Sequence, residues 1–370
     1  MPSAYPIHAV LRHGSSQRTA WQFIVALILL GMTASAATAA PATRTRRLMG
    51  VEWVVTVYAA SAAEATEAAE AALDRVATIE RVLSDYDPTS EVSRLMATSA
   101  EAPGVPVEVS DDLADALEKS LFFTERTQGA FDVTVGPLTI LWRQSRKTGR
   151  MPNPEKLAAA RAVTGRGSVV LHPATHVSHP QTQRVSLAHA TTKLDFGGIG
   201  MGYAIDEAMQ LLAERGIRSA MIDASGDIAV SGPPPGRDHW RVAVPALMRQ
   251  PAAAAAASEE HTVPTLALVH AAVATSGDAY QAVVIDGLRY SHIVDPRTGL
   301  GVVGPTAVTV IANDATSADA LSTSISVLGP REGLAIANDL DGVAARCSWV
   351  DGDMLRVESS SRWNAFLERR

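Results

Sequence analysis

The chain has 370 residues, 47% of them hydrophobic and 19% charged, and 32 Lys and Arg against 39 Asp and Glu leave a formal net charge of −7. That length can bury one large core, and the acidity, with no basic cluster to contradict it, argues against nucleic acid as a partner. The only cysteine, Cys347, excludes an internal disulfide, so no disulfide partner is needed and the core alone must hold the fold.

Residues 1–40 have the grammar of a signal peptide. Arg12 and Arg18 form a positive start, Phe23 to Met32 is an apolar run, and Ala34-Ser-Ala-Ala-Thr-Ala-Ala40 offers small-residue cleavage sites. The apolar run falls short of the ~20 residues that span a bilayer, which favours cleavage over a retained anchor. No cysteine near the cleavage sites supports a lipid anchor. An exported, periplasmic location follows, with one large domain over residues 41–370. Loss of the two arginines takes the formal charge from −7 to −9.

Val51–Tyr58 is β-branched and loosely alternating, and predicts a strand. Ser61-x-x-Glu64 is a capping-box pattern, and Ala69, Ala72, Leu73, Val76, Ile79 and Leu83 repeat behind it at helical spacing. A second helix is predicted from Ser110, with Leu113, Leu117 and Leu121 on one stripe, ending before Gly129. A third runs from about Tyr203 to Arg215, with Gly216 following as its stop. Strands are predicted at Ala220–Asp223, Arg241–Val244 and Leu266–Ala272, with residues 250–264 as a mobile surface insertion. Thr306–Ala312 predicts a strand, Ser317–Leu328 a helix, and Pro330 the start of another short helix. Arg346–Val350 and Met354–Glu358 predict a closing hairpin through Asp351-Gly-Asp. Without a regular βαβ rhythm, the expected class is α+β.

Several polar and glycine-rich clusters lie at element junctions, where ligands tend to be held. Asp195-Phe-Gly-Gly-Ile-Gly-Met-Gly202 precedes the third helix, where bare backbone and a helix start favour an anion. It lacks the Gly-Lys-Ser/Thr ending of a P-loop and the βαβ setting of a dinucleotide fingerprint, and a stretch of this kind alone is in most cases just a tight turn. Asp319 and Thr323 are four apart on a predicted helix, so their oxygens share one face. They form either half of a hard-cation site or an ordinary helix start, with Asp319 near the positive dipole and Thr323 in the core. His292, in Tyr290-Ser-His-Ile-Val-Asp-Pro-Arg-Thr-Gly299, is either a base near neutral pH or a structural histidine. Ala274-Thr-Ser-Gly-Asp278 fits a binding loop or any turn. His172, His176, His179 and His189 read as solvent-exposed, with nothing to align them on zinc.

In order along the chain, these clusters resemble the FAD:protein FMN transferases, the ApbE-like flavin transferases. The resemblance is carried by Leu48-Met-Gly50, Leu83-Ser-Asp-Tyr-Asp-Pro-Thr-Ser-Glu-Val-Ser-Arg-Leu95, Gly129-Ala-Phe-Asp-Val-Thr-Val-Gly-Pro-Leu138 and Leu194-Asp-Phe-Gly-Gly-Ile-Gly-Met-Gly-Tyr-Ala-Ile-Asp206. It continues through Ala224-Ser-Gly-Asp-Ile228, Ala274-Thr-Ser-Gly-Asp278, the His292 segment and Ala318-Asp-Ala-Leu-Ser-Thr323.

The resemblance implies a T-fold-like α+β architecture of mixed and antiparallel sheets flanked by helices. It implies FAD as substrate, Mg²⁺ as cofactor, and transfer of FMN to a Ser or Thr of an acceptor flavoprotein of the membrane electron-transfer machinery, with AMP released. A periplasmic FAD pyrophosphatase and a non-catalytic FAD-binding protein are the alternatives. By the same resemblance, Asp319, Thr323 and the carbonyl of Gly198 hold the metal, and His292 takes the proton of the incoming hydroxyl. Met49, Tyr86, Ala130, Phe131, Asp132, Asp195, Met201 and Val294 fall at positions of the FAD site. The chain departs from the family pattern at Met201, where lysine is frequent, at Ala279, frequently tyrosine, at Ser225, frequently glycine, and at Val51, usually threonine.

Overall fold

A computed structural model describes residues 40–172, 183–244, 264–277, 281–304, 306–352 and 354–368. The expected leader up to residue 39, His176 and His179, residues 250–263 of the expected insertion, and Ala279 lie outside the described residues.

The hairpin β1 (Ala40–Leu48) and β2 (Val51–Ala59) leads into helices α1 (Ala62–Leu83) and α2 (Glu91–Glu101). Strand β3 (Val107–Val109) is followed by α3 (Asp111–Arg126), α4 (Gly136–Thr148) and α5 (Pro154–Ala162). Strands β4 (Val169–His172) and β5 (Gln183–Leu187) precede α6 (Gly200–Glu214). Then come β6 (Ser219–Ala224), β7 (Asp227–Val230), β8 (Trp240–Ala243), β9 (Thr265–Leu268), β10 (Ala271–Gly277), β11 (Ala282–Ile285), β12 (Leu288–Val294), β13 (Gly301–Val303) and β14 (Thr306–Ala312). Helix α7 (Ala315–Asp339), β15 (Ala344–Asp351), β16 (Met354–Ser359) and a 3₁₀ turn (Trp363–Phe366) close the chain.

The frame is an eight-stranded antiparallel sheet in the order β1-β2-β6-β7-β10-β14-β15-β16. Period-2 alternation decides its faces. Trp53, Val55, Val57, Ala220, Ile222, Ala272, Ala274, Val308 and Val310 point into the main core, which α1, α6 and α7 cover. Met221, Ala271, Val273, Ile311 and Ala344 point to the other face, against the β8–β9 pair and Trp363. A third apolar cluster, built on Leu138, Trp142, Ala160, Ile285 and Val294, joins α4 and α5 to the small β11-β12-β13 sheet. This is the expected α+β class.

Local signals explain the long helices. Ser61 Oγ accepts the backbone N–H of Glu64 at 3.2 Å, and the predicted apolar face of α1 is buried without exception. Ser110 caps α3 in the same way, with Leu113 and Leu117 fully buried and Leu121 half-buried. Helix α7 bends at Gly329 (φ 77°, ψ 172°), so its second segment starts at Pro330 as expected.

Two expectations are corrected. Leu266–Ala272 is two strands in two sheets, because the chain reverses at His270, which takes a left-handed φ of 48°. No glycine or proline marks that reversal. The third helix begins at Gly200 rather than Tyr203, so its first turn lies inside the glycine cluster.

Three tight hairpin turns carry left-handed residues other than glycine, one of them Asp286–Gly287 between Ile285 and Leu288 of the small sheet, the other two on the large sheet. Met49 (φ 49°) and Gly50 (φ 81°) join the pair Leu48↔Val51, and Ser225 (φ 55°) and Gly226 (φ 107°) join Ala224↔Asp227. Both have the φ signs of a type I′ hairpin turn. A left-handed backbone costs a residue with a Cβ roughly 1–2 kcal/mol, against roughly 0.5–1 kcal/mol of extra chain entropy for glycine. We expect Ser225→Gly to raise stability by up to about 1 kcal/mol, read as a higher denaturation midpoint. An unchanged or lower midpoint would show that the serine is not strained.

Candidate active site

The registers gather one end of the large sheet into a site. The Met49 turn, the Ser225 turn and the end of β10 at Ser276–Gly277 fall together there, since Trp53 pairs with Ala224 and Val273 with Ile228. Helix α6 starts over this end, α7 starts beside the first two turns of α6 and runs toward the same end, and their mutual fit depends on Gly202. A Cβ on Gly202 would lie 2.2 Å from the Ala315 carbonyl oxygen and 2.9 Å from Asp319 Cβ, so no other residue fits. Asp206, one turn along α6, accepts the backbone N–H of Ala315 and of Thr316, each at 2.8 Å, and the Thr316 hydroxyl at 2.5 Å. Asp314 adds the helix's own cap by accepting the Ser317 N–H at 2.7 Å.

That junction sets the Asp319–Thr323 face. Asp319 is only 5% exposed and accepts the Gly202 N–H at 3.1 Å. A Cβ on Gly198 would lie 3.0 Å from both Thr323 Oγ1 and Cγ2, so the bare backbone of Gly198 sits directly over the threonine. The structure thus brings Gly198, Asp319 and Thr323 together. Ser276 Oγ lies 3.2 Å from Thr323 Oγ1 and 2.7 Å from Ser322 Oγ.

Sequence reasoning missed Asp227. It follows the Ser225 turn and accepts the Thr275 N–H at 3.2 Å. Burial pushes its carboxyl up to about 7, helped by the charge of Asp223. Burial, then the charge of Asp227, raises Asp319 well above the carboxylate range. No cationic side chain offsets either group. Two crowded carboxylates beside a hydroxyl and exposed backbone offer hard oxygen donors and excess negative charge, which fits a small divalent cation. Among the described residues no three His, Cys, Asp or Glu side chains cluster as a cage. Gly198, Asp319 and Thr323 could hold such a cation only together with oxygens from outside the protein, such as substrate phosphates. The start of α6, which no side chain caps, favours an anion there, whereas the first N–H groups of α7 are taken by Asp206 and Asp314.

Beside this half-site is an aromatic clamp. Tyr86 is 76% exposed, and the Arg143 guanidinium lies 4.7 Å from its ring centroid. Arg143 also donates to Asp85 and to Asp195, each at 3.2 Å, while Thr139 donates to Asp195 at 2.7 Å and Gly197 N–H at 2.9 Å. Burial raises the Asp85 carboxyl, the charge of Asp195 adds to that, and Arg143 opposes it. Arg143, missed in the sequence, ties Tyr86 and Asp195 into one wall. Met49 reaches the same place, because its Cε lies 3.8 Å from where a Cβ on Gly200 would be.

The remaining candidates sit deeper. Ala130, Phe131 and Asp132 are buried, and their segment joins Asp195 through its N–H to the Val133 carbonyl at 2.8 Å. Burial raises the Asp132 carboxyl against the hydrogen bonds of Thr134. Met201 is half-buried in the first turn of α6 and packs on the main core. Val294 is buried in the third cluster beside Leu138 and Trp142. His292 is half-buried on β12, anchored by its N–H to the Gln281 carbonyl at 2.9 Å, and β12 packs on α7. His172 is half-buried against Ser186 Oγ at 2.8 Å rather than solvent-exposed, because β4 pairs with β5 there, and His189 is exposed.

A glycine-lined helix start, a partial hard-cation site and an aromatic clamp at one end of an α+β sheet define a nucleotide-handling protein. Comparison with known proteins narrows this: the ApbE family model matches residues 49–347, and the chain belongs to that family. An FAD:protein FMN transferase of Treponema pallidum (strain Nichols) is 32% identical over 287 residues, covering 74% of this chain and 76% of the relative. One from Escherichia coli (strain K12) is 28% identical over 292 residues, covering 78% of each. The flavinyl transferase ApbE of Pseudomonas stutzeri, solved in its apo form, superposes with a TM-score of 0.72 at 28% identity over 89% of this chain and 97% of that one.

The α6–α7 junction carries a pH signature. Burial pushes Asp206 up to about 6, against the hydrogen bonds it accepts. A carboxyl raised in the folded state stabilises fully below its unfolded pKa, and that contribution is lost as pH rises through the folded value. Between about pH 4 and 7.5, the wild type should lose on the order of 1–3 kcal/mol relative to Asp206→Asn, which cannot titrate. Urea unfolding of both proteins across that range measures the difference, and parallel curves would contradict it.

Proposed function

We infer that the chain is an FAD:protein FMN transferase, an enzyme that moves the FMN half of FAD onto an acceptor protein. Family membership supports this, and the observation that carries it is the meeting of Gly198, Asp319 and Thr323 under an uncapped helix start. FAD lies with its pyrophosphate over Gly198 and Gly200 and a planar ring against Tyr86. Asp319 and Thr323, with the carbonyl of Gly198, hold Mg²⁺, which when bound neutralises charge developing on the pyrophosphate. Asp227 adds its negative charge from the Ser225 turn.

The acceptor's Ser or Thr oxygen attacks the FMN phosphorus, the bond from that phosphorus to the bridging oxygen breaks, and AMP leaves. His292 takes the hydroxyl proton. The product is a phosphodiester, and the acceptor is a flavoprotein of membrane electron transfer presenting its hydroxyl in an exposed loop. The positive start at Arg12 and Arg18 and the apolar run that follows support export, with the mature enzyme working in the periplasm. Among the described residues no helix is long and apolar enough to cross a membrane.

The test incubates the chain from Ala40 onward with FAD, Mg²⁺ and a candidate acceptor domain, and reads the acceptor's intact mass and the AMP formed. A gain of one FMN, lost with EDTA, is expected. AMP without a mass gain would mark a pyrophosphatase, and bound FAD with neither product a flavin binder. Asp319→Ala should lower transfer about a hundredfold or more and abolish Mg²⁺-dependent thermal stabilisation. Full transfer by that variant would refute the metal role.

Arg143→Ala removes the cation beneath Tyr86 and the tie to Asp195. FAD binding should weaken about tenfold, with a smaller loss in turnover, because the group positions the nucleotide away from the reacting phosphorus. Titration of flavin fluorescence together with steady-state kinetics separates the two, and an unchanged affinity would remove Arg143 from the site.

A further inference from the structure

The two edges of the large sheet are finished differently. On β1, Arg44 and Arg46 are tied to Glu70 and Asp74 of α1, and charged side chains of this kind blunt an edge against pairing. On β16 every residue is exposed, including Met354 at 55%, Leu355 at 40% and Val357 at 41%, and among the described residues only β15 pairs with it.

The register shows which backbone groups of β16 are free. Ser360 donates its N–H to the Ala345 carbonyl at 2.8 Å and its Oγ accepts the Ala345 N–H at 2.9 Å, so 345 and 360 stand at a hydrogen-bonded position of the ladder. From there the pairing runs Arg346↔Ser359, Cys347↔Glu358, Ser348↔Val357, Trp349↔Arg356 and Val350↔Leu355. Hydrogen-bonded and non-hydrogen-bonded pairs alternate along an antiparallel ladder. Leu355, Val357 and Ser359 therefore turn their N–H and C=O groups outward, away from β15.

This outward edge complements itself. A second copy laid antiparallel with Val357 opposite Val357 would exchange two N–H···O=C bonds at that pair and two more at each Leu355↔Ser359 pair. Arg356 would then fall opposite Glu358 twice, at the non-hydrogen-bonded positions where side chains approach most closely. We propose that two copies of this chain join through β16, by antiparallel edge pairing centred on Val357, into one continuous sheet. The contact is isologous, so it closes at two copies and leaves no free β16 edge for further growth. It stands independently of the flavin chemistry.

Sedimentation of the chain from Ala40 onward over a wide concentration range should show a reversible monomer–dimer equilibrium. Val357→Pro deletes an outward N–H and leaves the bonds to β15 intact, and should weaken the dimer about tenfold or more. Glu358→Arg places like charges opposite each other and should also favour monomer, while R356E/E358R restores the opposed signs and the dimer. Wild-type thermal unfolding and FMN transfer per protomer in each variant show that the fold is kept. Monomer at every concentration overturns the proposal. So does a dimer that neither Val357→Pro nor Glu358→Arg weakens, or one that the double swap fails to restore.

Discussion

The active end of this molecule depends on one close approach, the first turn of α6 against the first turn of α7. With the Gly202 Cα nearly on the Ala315 carbonyl, the two helix starts become one rigid unit, and Asp206 fastens it by accepting two backbone donors that α7 cannot satisfy itself. Every group assigned to the phosphates follows from that contact. It sets Gly198 over Thr323, hands the Gly202 N–H to Asp319, and leaves the uncapped start of α6 beside both. A side chain at Gly202 would separate the helices and disperse the site while leaving the sheet intact.

The same end of the molecule stores unfavourable electrostatics. Burial and then Asp227 raise Asp319, burial and Asp223 raise Asp227, and Asp206 is lifted by its own burial, with no cationic side chain offsetting Asp227 or Asp319. A domain selected for stability alone would not keep uncompensated carboxylates in partly dry surroundings. On the proposed function, a divalent cation held here would offset that charge. The left-handed Met49 and Ser225 fit this pattern, since backbone strain is tolerated where turns must aim groups into a site. Ser225 takes the conformation that glycine takes freely at that turn. That accounts for the family's preference and limits what the departure costs.

Much of this was legible in the sequence because the informative signals were local. The i,i+4 spacing of Asp319 and Thr323 placed both on one face of a helix, and Ser61, Ser110 and Gly329–Pro330 marked where helices begin and break. The ordered motifs supplied the family. Partners set by tertiary register were not legible. Asp227 meets Asp319 across more than ninety residues, only because β6, β7 and β10 are neighbours in the sheet. Arg143 is set by the same kind of contact, since only the fold brings Tyr86 and Asp195 to it, each from more than fifty residues away. The reversal at His270 was hidden because an uninterrupted apolar run fits one long strand as well as two short ones in different sheets.

The sheet also separates chemistry from assembly. Its turn-bearing end carries the strained residues, buried acids and bare glycines, all of which lower local stability for the sake of binding. The β14–β15–β16 flank carries ordinary ladder pairing and ends in an edge whose backbone groups are unspent. Pairing there would add hydrogen bonds to the part of the frame on which α7 rests, since α7 packs on β10, β14 and β15. β16 lies two strands beyond β14, and Asp319 and Thr323 stand on α7, so pairing at that edge leaves the groups of the site in place, and sedimentation rather than flavin turnover is the direct readout of assembly.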